Sequence, residues 1–333
     1  MIAELSGNHN GELDRALACV HAAARTGVDA IKLQTYRADT LTIDVDAPEF
    51  RVPGDGPWAG RTLYDLYTEA HTPWAWHAPL FDAARAAGIQ IFSTPFDATA
   101  VELLESLGAP AYKIASFELV DDALLRCVAA TGKPVILSTG MADLEEIAHA
   151  LEILRDAGAR DVALLRCTSS YPAPDDAMNL RSILELMRRF DVPVGLSDHS
   201  SGTLAPVVAV SLGACMVEKH FTLAREDGGV DSHFSLEPAE LCQLVDDVRR
   251  AERMLGAARF GTGRAETESA IFRRSLYIVE DVRAGEALSE ENVRSIRPGF
   301  GLAPRHLVEV LGRRASRSLR RGTPLNWDDL ESR

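Results

Sequence analysis

The sequence predicts an eight-stranded (β/α)8 barrel followed by a small, turn-rich β domain. Three observations predict it. From Ile2 to about residue 256, short β-branched or apolar runs alternate with longer amphipathic stretches in eight successive units. Gly27, Gly88, Gly108, Gly132, Gly158 and Gly213 fall near the ends of those stretches, where helices stop. Polar and charged side chains gather where the apolar runs end, and in a parallel barrel that end carries the active site. An open doubly wound sheet is the runner-up, but no Gly-x-Gly-x-x-Gly follows the first strand to support it.

Taken in order, the expected strands are Ile2–Leu5, Ala30–Gln34, Ile89–Ser93, Ala111–Ala115, Pro134–Ser138, Val162–Cys167, Val194–Ser197 and Cys215–His220. Helices are expected at Leu13–Arg25, Pro73–Ala87, Ala142–Asp156, Arg181–Phe190 and Leu204–Leu212. The stretch Thr40–Glu69 is too long for a simple connection and carries Pro48, Pro53, Gly54 and Gly56, so it reads as a lid or rim loop. From about Glu252 the pattern dissolves into a charged, Gly-bearing stretch. The domain division is then a barrel over 1–256, a linker over 257–274 and a second domain over 275–333. Ser275–Glu280, Val293–Ile296 and Gly322–Leu325 are the β-like pieces of that second domain, which is near the lower size limit for independent stability.

Composition narrows the partners. Hydrophobic residues are 46% and charged residues 25% of the 333, which excludes wholesale disorder. A net charge of −14 argues against nucleic acid or an anionic membrane surface, both of which need a basic face. Cys19, Cys127, Cys167, Cys215 and Cys242 are odd in number, widely spaced and without a Cys-x-x-Cys pair, so buried, reduced thiols in a cytoplasmic protein are expected. No apolar run reaches membrane-spanning length, and no signal peptide precedes the fold. The first strand begins almost at Met1, so either the chain starts abruptly or upstream residues are missing.

The strand ends carry the chemistry. Lys32 and Gln34 share one strand face, as do Glu218 and His220, so each pair can point inward together. His199 and His220 on consecutive strands, beside Asp198 and Glu218, form a candidate divalent-metal site with positions left for water and substrate. Two imidazoles among oxygen donors suit Mn²⁺, Co²⁺ or Zn²⁺ better than Mg²⁺. The plainer reading, two histidines hydrogen-bonded at the rim, is weighed against it. Lys32 and Lys113 with Thr94, Ser116, Ser138 and Ser197 make a site for a phosphate or carboxylate. A Schiff-base lysine, or simple ion pairs with Glu4 and Glu118, are the alternatives. Arg297, in Arg297-Pro-Gly-Phe-Gly301, reads on its own as one surface arginine among many.

These motifs resemble the sialic acid synthase family, which joins phosphoenolpyruvate to an N-acetylated sugar. The resemblance lies in Ala3-Glu-Leu-Ser-Gly-Asn-His-Asn-Gly11, Ile31-Lys-Leu-Gln-Thr35, Phe92-Ser-Thr-Pro-Phe96, Tyr112-Lys-Ile-Ala-Ser-Phe-Glu118 and Leu137-Ser-Thr-Gly-Met141. It continues through Cys167-Thr-Ser-Ser-Tyr-Pro-Ala-Pro174, Gly195-Leu-Ser-Asp-His199, Val217-Glu-Lys-His-Phe221 and Gly229-Val-Asp231. The tail from Arg294 to Leu325 is similar to the family's antifreeze-like (SAF, β-clip) domain. Ser169 and Ser170 stand where N-acetylneuraminate synthases usually carry Asn and a bulkier residue, and the wording is closest to the pseudaminic acid branch. The hairpin that normally precedes the family's first strand is missing.

The resemblance implies condensation of phosphoenolpyruvate with 2,4-diacetamido-2,4,6-trideoxy-L-altrose to a nine-carbon 2-keto acid, with release of phosphate. N-acetylneuraminate or legionaminic acid synthesis is the alternative; a Schiff-base aldolase or a non-catalytic sugar binder is a different class. It implies a divalent metal on His199 and His220, Mn²⁺ first with Mg²⁺ or Co²⁺ as alternatives, and catalytic roles for Glu4, Lys32, Lys113 and Glu218. Gln34, Phe96, Glu118, Ser169, Tyr171 and Asp231 are then substrate-binding residues, with Thr94, Ser116, Ser138 and Ser197 at the phosphate. It also implies a domain-swapped homodimer in which Arg297 contacts an N-acyl group of the substrate.

Overall fold

The computed structural model describes residues 1–332. Its contacts divide the chain into two units, Met1–Gly256 and one beginning at Ala257. The linker expected over 257–274 therefore packs as part of the second unit. Two short 3-10 turns, Arg264–Glu266 and Ser269–Phe272, occupy it, and Gly299 donates its N–H to the Ile271 carbonyl at 2.8 Å.

In the first unit, eight parallel strands close into a barrel. They are β1 (Ile2–Glu4), β2 (Ala30–Thr35), β3 (Gln90–Pro95), β4 (Tyr112–Ile114), β5 (Val135–Ser138), β6 (Val162–Cys167), β7 (Val194–Asp198) and β8 (Val217–His220). β1 closes the ring by pairing with both β2 and β8, in a register that sets Glu4 beside Lys32 on one side and His220 on the other. The alternation along each strand then decides what points where. On one face, Ile2, Ala30 and Phe92 form a small apolar cluster with Ile136. Two residues on, the same face carries Glu4, Lys32, Thr94 and Ser138. On the other face, Ala3, Ile31, Leu33, Ile91, Ile114 and Leu137 bury themselves in the main core beneath the helices.

The helices form where an apolar stripe can cover those outward residues. Leu13–Arg25 buries Ala16, Cys19, Val20 and Ala23 at helical spacing, with Asp14 in its first turn and Arg25 in its last, as the helix dipole favours. Leu144–Asp156 starts on a capping box in which Asp143 and Glu146 satisfy each other's backbone N–H groups. Gly27 at φ 84° and Gly88 at φ 75° end their helices in the left-handed region that side chains resist. Helices Leu63–Ala70, Ala98–Ser106, Asp122–Ala129 and Pro238–Leu255 complete the ring beyond those expected from sequence. The last of these absorbs part of the stretch read as linker from Glu252.

Three expectations need correction. β3 runs to Pro95 rather than Ser93, because Gln34 and Thr35 of β2 extend the pairing to Thr94 and Pro95. β8 begins at Val217, not Cys215. Buried thiols hold for Cys19 and Cys167, whereas Cys215 and Cys242 are exposed and Cys127 is intermediate; all five are free. Among the described residues no helix is long and apolar enough to cross a membrane.

The second unit is built on an antiparallel pair, β9 (Ser275–Ile278) and β10 (Val293–Ile296). Its own core gathers Leu276, Ile278, Val282, Leu288, Val293, Val310, Leu319 and Leu325. Gly322–Leu325 is not a strand; it contributes a single bridge, Tyr277 to Pro324. Arg297 follows β10 at a cis Arg297–Pro298 bond and is exposed in this unit.

Candidate active site

One cavity of about 440 Å³ opens at the C-terminal ends of the barrel strands. Lys32, Gln34, Thr94, Lys113, Ser116, Ser138, Ser197, His199, Glu218 and His220 line it together, as their places at strand ends predict. So do Tyr171 and Asp231 from the loops after β6 and β8, which the family resemblance implied. Glu4 stands directly behind Lys32, its carboxylate 2.5 Å from the ammonium. Phe96, Glu118 and Ser169 do not line the cavity. Phe96 packs 5.1 Å from the ring of Tyr36, which does; Ser169 lies 3.8 Å from the Cys167 sulfur; and in the 3-10 turn Ser116–Val120 it is Ser116 and Phe117 that face the opening.

The inner end is a closed arrangement of charge. Lys32 donates to Thr94 Oγ1 at 2.9 Å and lies 3.8 Å from Glu218, while Lys113 donates to Ser138 Oγ at 2.6 Å and lies 4.0 Å from Glu218. Because Thr94 and Ser138 accept from the lysines, their own O–H hydrogens remain to be offered to an anion. Gly140 donates its N–H to Ser116 Oγ at 3.0 Å, leaving the Ser116 hydrogen free in the same way. A Cβ at Gly140 would overlap the hydroxyls of Ser116 and Ser169, so this position needs glycine for close approach.

The two carboxyls nearest Lys32 are pushed in opposite directions. Burial raises Glu4 to about 7, in spite of Lys32. Burial also acts on Glu218, but Lys113 and Lys32 overcome it and hold that carboxyl below its usual range. Burial lowers Lys113, whereas Lys32 is raised because Glu218 and Glu4 outweigh burial. Glu118, with one buried carboxyl oxygen lacking a partner, is also raised by burial to about 7.

A pH dependence follows. A carboxyl with a raised folded pKa binds protons more tightly in the folded state, so its stabilising contribution is complete below about 4.5 and is lost as pH rises through about 7. A Glu4→Gln/Glu118→Gln variant, fixed in the neutral form, is expected to gain thermal stability relative to the parent at pH 8 compared with pH 5. Equal differences at the two pH values in melting experiments would contradict this.

The histidines stand apart from this cage. His199 Nδ1 lies 3.0 Å from the Thr168 carbonyl and donates to it, which leaves Nε2 as the lone-pair nitrogen. His220, its ring 5.3 Å from that of His199, is fully buried with an Nδ1 that has no hydrogen-bond partner, and burial lowers its pKa well below the usual value. Asp231 Oδ2 lies 3.9 Å from that Nδ1 and accepts from Ser6 Oγ. Burial lifts the Asp231 carboxyl above its ordinary range. Among the described residues no group of three or more His, Cys, Asp or Glu side chains is arranged to enclose a metal ion. Two neighbouring imidazoles with an orphaned buried nitrogen do fit an open site whose remaining ligands are water and substrate.

Asp198 leaves the cluster expected at the end of β7. It sits on the opposite strand face, where Lys219 Nζ reaches it at 2.7 Å, both side chains fully buried. Asp198 also accepts from Ser200 N at 2.8 Å, and Lys219 donates to the Ser200 carbonyl. This buried pair brackets His199 from both neighbours. Sequence reasoning missed Ser6, Tyr36, Trp58, Gly140 and Cys167 at the site. Cys167 is lowered to about 7: burial opposes its ionisation, but His199, 3.8 Å away, overcomes that. Its place as the last residue of a strand was the available signal.

Comparison with known proteins places the chain. The family model described as NeuB family matches residues 19–260, and the SAF domain model matches 273–331. The pseudaminic acid synthase of Campylobacter jejuni serotype O:2 is 45% identical over 99% of this chain and 96% of its own length. The N,N'-diacetyllegionaminic acid synthase of Legionella pneumophila is 36% identical over 100% of this chain and 94% of its own. Among solved structures, the N-acetylneuraminic acid synthetase of Leptospira borgpetersenii, in complex with citrate, aligns with a TM-score of 0.72 at 33% identity. The alignment covers 80% of this chain and 88% of that one.

Proposed function

The chain belongs to the NeuB family, and we propose that within it this protein makes pseudaminic acid, condensing phosphoenolpyruvate with 2,4-diacetamido-2,4,6-trideoxy-L-altrose. The observation that carries the reading is the 45% identity to a pseudaminic acid synthase along 99% of the chain, against 36% to a legionaminic acid synthase. The cavity is chemically suited to it. Lys32 and Lys113, with the free hydroxyl hydrogens of Thr94, Ser116 and Ser138, take the phosphate and carboxylate of phosphoenolpyruvate at the inner end.

Carbon 3 of phosphoenolpyruvate attacks the sugar aldehyde, forming the new C–C bond as the enol electrons leave carbon 2 electron-poor. Water adds at carbon 2, and its proton passes by way of Lys32, which lines the cavity, to Glu4 behind it, whose pKa is near neutrality. The former aldehyde oxygen takes up the proton that water gave, becoming a hydroxyl. The carbon 2–oxygen bond to phosphate then breaks as the carbon 2 hydroxyl passes its proton to the departing phosphate, giving the 2-keto acid and inorganic phosphate. Glu218, held ionised between the two lysines, keeps both ammonium groups in place and faces the developing positive charge. His199 and His220 are the residues that would hold a divalent metal, Mn²⁺ first, which supplies Lewis acidity at the sugar's carbonyl oxygen. Gln34, Tyr171 and Asp231 line the sugar's side of the cavity. On this reading the protein works in the cytoplasm, where phosphoenolpyruvate is made, as a domain-swapped homodimer in which Arg297 of one subunit contacts an N-acyl group of the sugar bound in its partner's barrel.

The test is a substrate panel with mass detection of the nine-carbon product. Turnover of the diacetamido-trideoxy altrose is expected to exceed that of N-acetylmannosamine and of the legionaminic precursor. Preferred turnover of N-acetylmannosamine would overturn the assignment. Persistence of full activity after chelation, with borohydride trapping of pyruvate on Lys113, would support a Schiff-base aldolase instead.

A further inference from the structure

The cavity changes character along its depth. Its inner end is charge and hydroxyl, but its mouth is walled by Val52 and Pro53 from the insertion after β2, Val230 from the segment after β8, and Trp58. The indole is tied across the opening, Trp58 Nε1 donating to the Val230 carbonyl at 2.8 Å. Its ring centre lies 5.6 Å from that of Tyr171, and Tyr171 lies 4.4 Å from His199. A series of rings therefore leads outward from the histidine pair to Trp58. With its aldehyde at the histidines, as the proposed function has it, a six-carbon chain would be directed along that series toward the indole.

Resting on the pseudaminic acid reading, we propose that Trp58 determines specificity at the sugar's terminal carbon. With Val52, Pro53 and Val230 it forms an apolar seat for a methyl group and disfavours a hydroxymethyl. A terminal hydroxyl set against those side chains gives up water and gains no donor from the indole, because the single N–H of Trp58 is already committed to Val230. An apolar seat of this kind discriminates against one added hydroxyl by roughly 10- to 100-fold in kcat/KM. The discrimination arises from the lid, while the anion cage at the inner end is indifferent to it.

The experiment compares parent, Trp58→Ala and Trp58→Phe with phosphoenolpyruvate and two sugars, 2,4-diacetamido-2,4,6-trideoxy-L-altrose and its counterpart bearing a hydroxyl on carbon 6. The parent is expected to favour the deoxy sugar by roughly 10- to 100-fold, and Trp58→Ala to bring the ratio within about threefold of unity. The change should fall on the sugar KM and leave that for phosphoenolpyruvate unaltered. Trp58→Phe, which keeps a ring but loses the tie to Val230, should lie between them and guards against a folding defect in the alanine variant. A parental ratio retained in both variants overturns the proposal. A parent that releases no phosphate with either sugar overturns the functional reading beneath it.

Discussion

His220→Ala is expected to lower phosphate release by roughly 10²- to 10³-fold at saturating substrates, the scale of losing one preorganised group at a developing charge. The fold should survive the change. His220 Nδ1 has no hydrogen-bond partner, so no buried donor or acceptor is orphaned by its removal, and what is lost is packing against His199 and Phe234, 5.3 and 4.7 Å away between ring centres. Burial disfavours the charged form of this imidazole, so its removal strands no charge pair. Mn²⁺ binding by calorimetry should weaken in parallel with the rate, while melting stays cooperative and is lowered only by the lost packing. Parental turnover in the variant would remove the histidine pair from the mechanism.

Lys219→Met is expected to act in the opposite sense, on stability first. It leaves Asp198 buried and uncompensated, which costs about 3–5 kcal/mol. Because Asp198 and Ser200 flank His199, the same substitution frees the backbone that aims the imidazole. An Asp198→Asn/Lys219→Met double variant should recover much of the stability in chemical denaturation, since no lone charge remains. A single-variant loss below about 1 kcal/mol would mean that water reaches Asp198 and that the bracket is looser than it stands here.

Much of this site is legible in the sequence because a strand's period of two sorts its residues without help from distant partners. Lys32 and Gln34 turn inward together, as do Glu218 and His220, and Lys219 between the latter two faces the helices. The same rule carried along β7 puts Ser197 and His199 on the inner face and Asp198 on the outer one. A cluster holding both Asp198 and His199 runs against it, and Lys219 on the neighbouring strand claims the carboxylate. Strand ends blur for a related reason. Cys215 N and Met216 O already bond to β7 at 2.8 and 2.9 Å, so the apolar run reads as strand two residues early. Trp58 was illegible as a wall of the site because its partners, Val230 and Tyr171, lie far along the chain and no periodicity connects them.

The three-residue strand β1 carries a consequence for the order of folding. Its pairing with β8 joins the two most distant strands in the barrel, and loop closure makes such contacts slow to form. β2 through β5 can assemble Lys32, Thr94, Lys113 and Ser138 from neighbouring segments. Glu4 meets Lys32 and His220 in register once the ring is shut. The nascent barrel thus holds an anion pocket before it holds its base, and activity should return in refolding later than phosphate binding does.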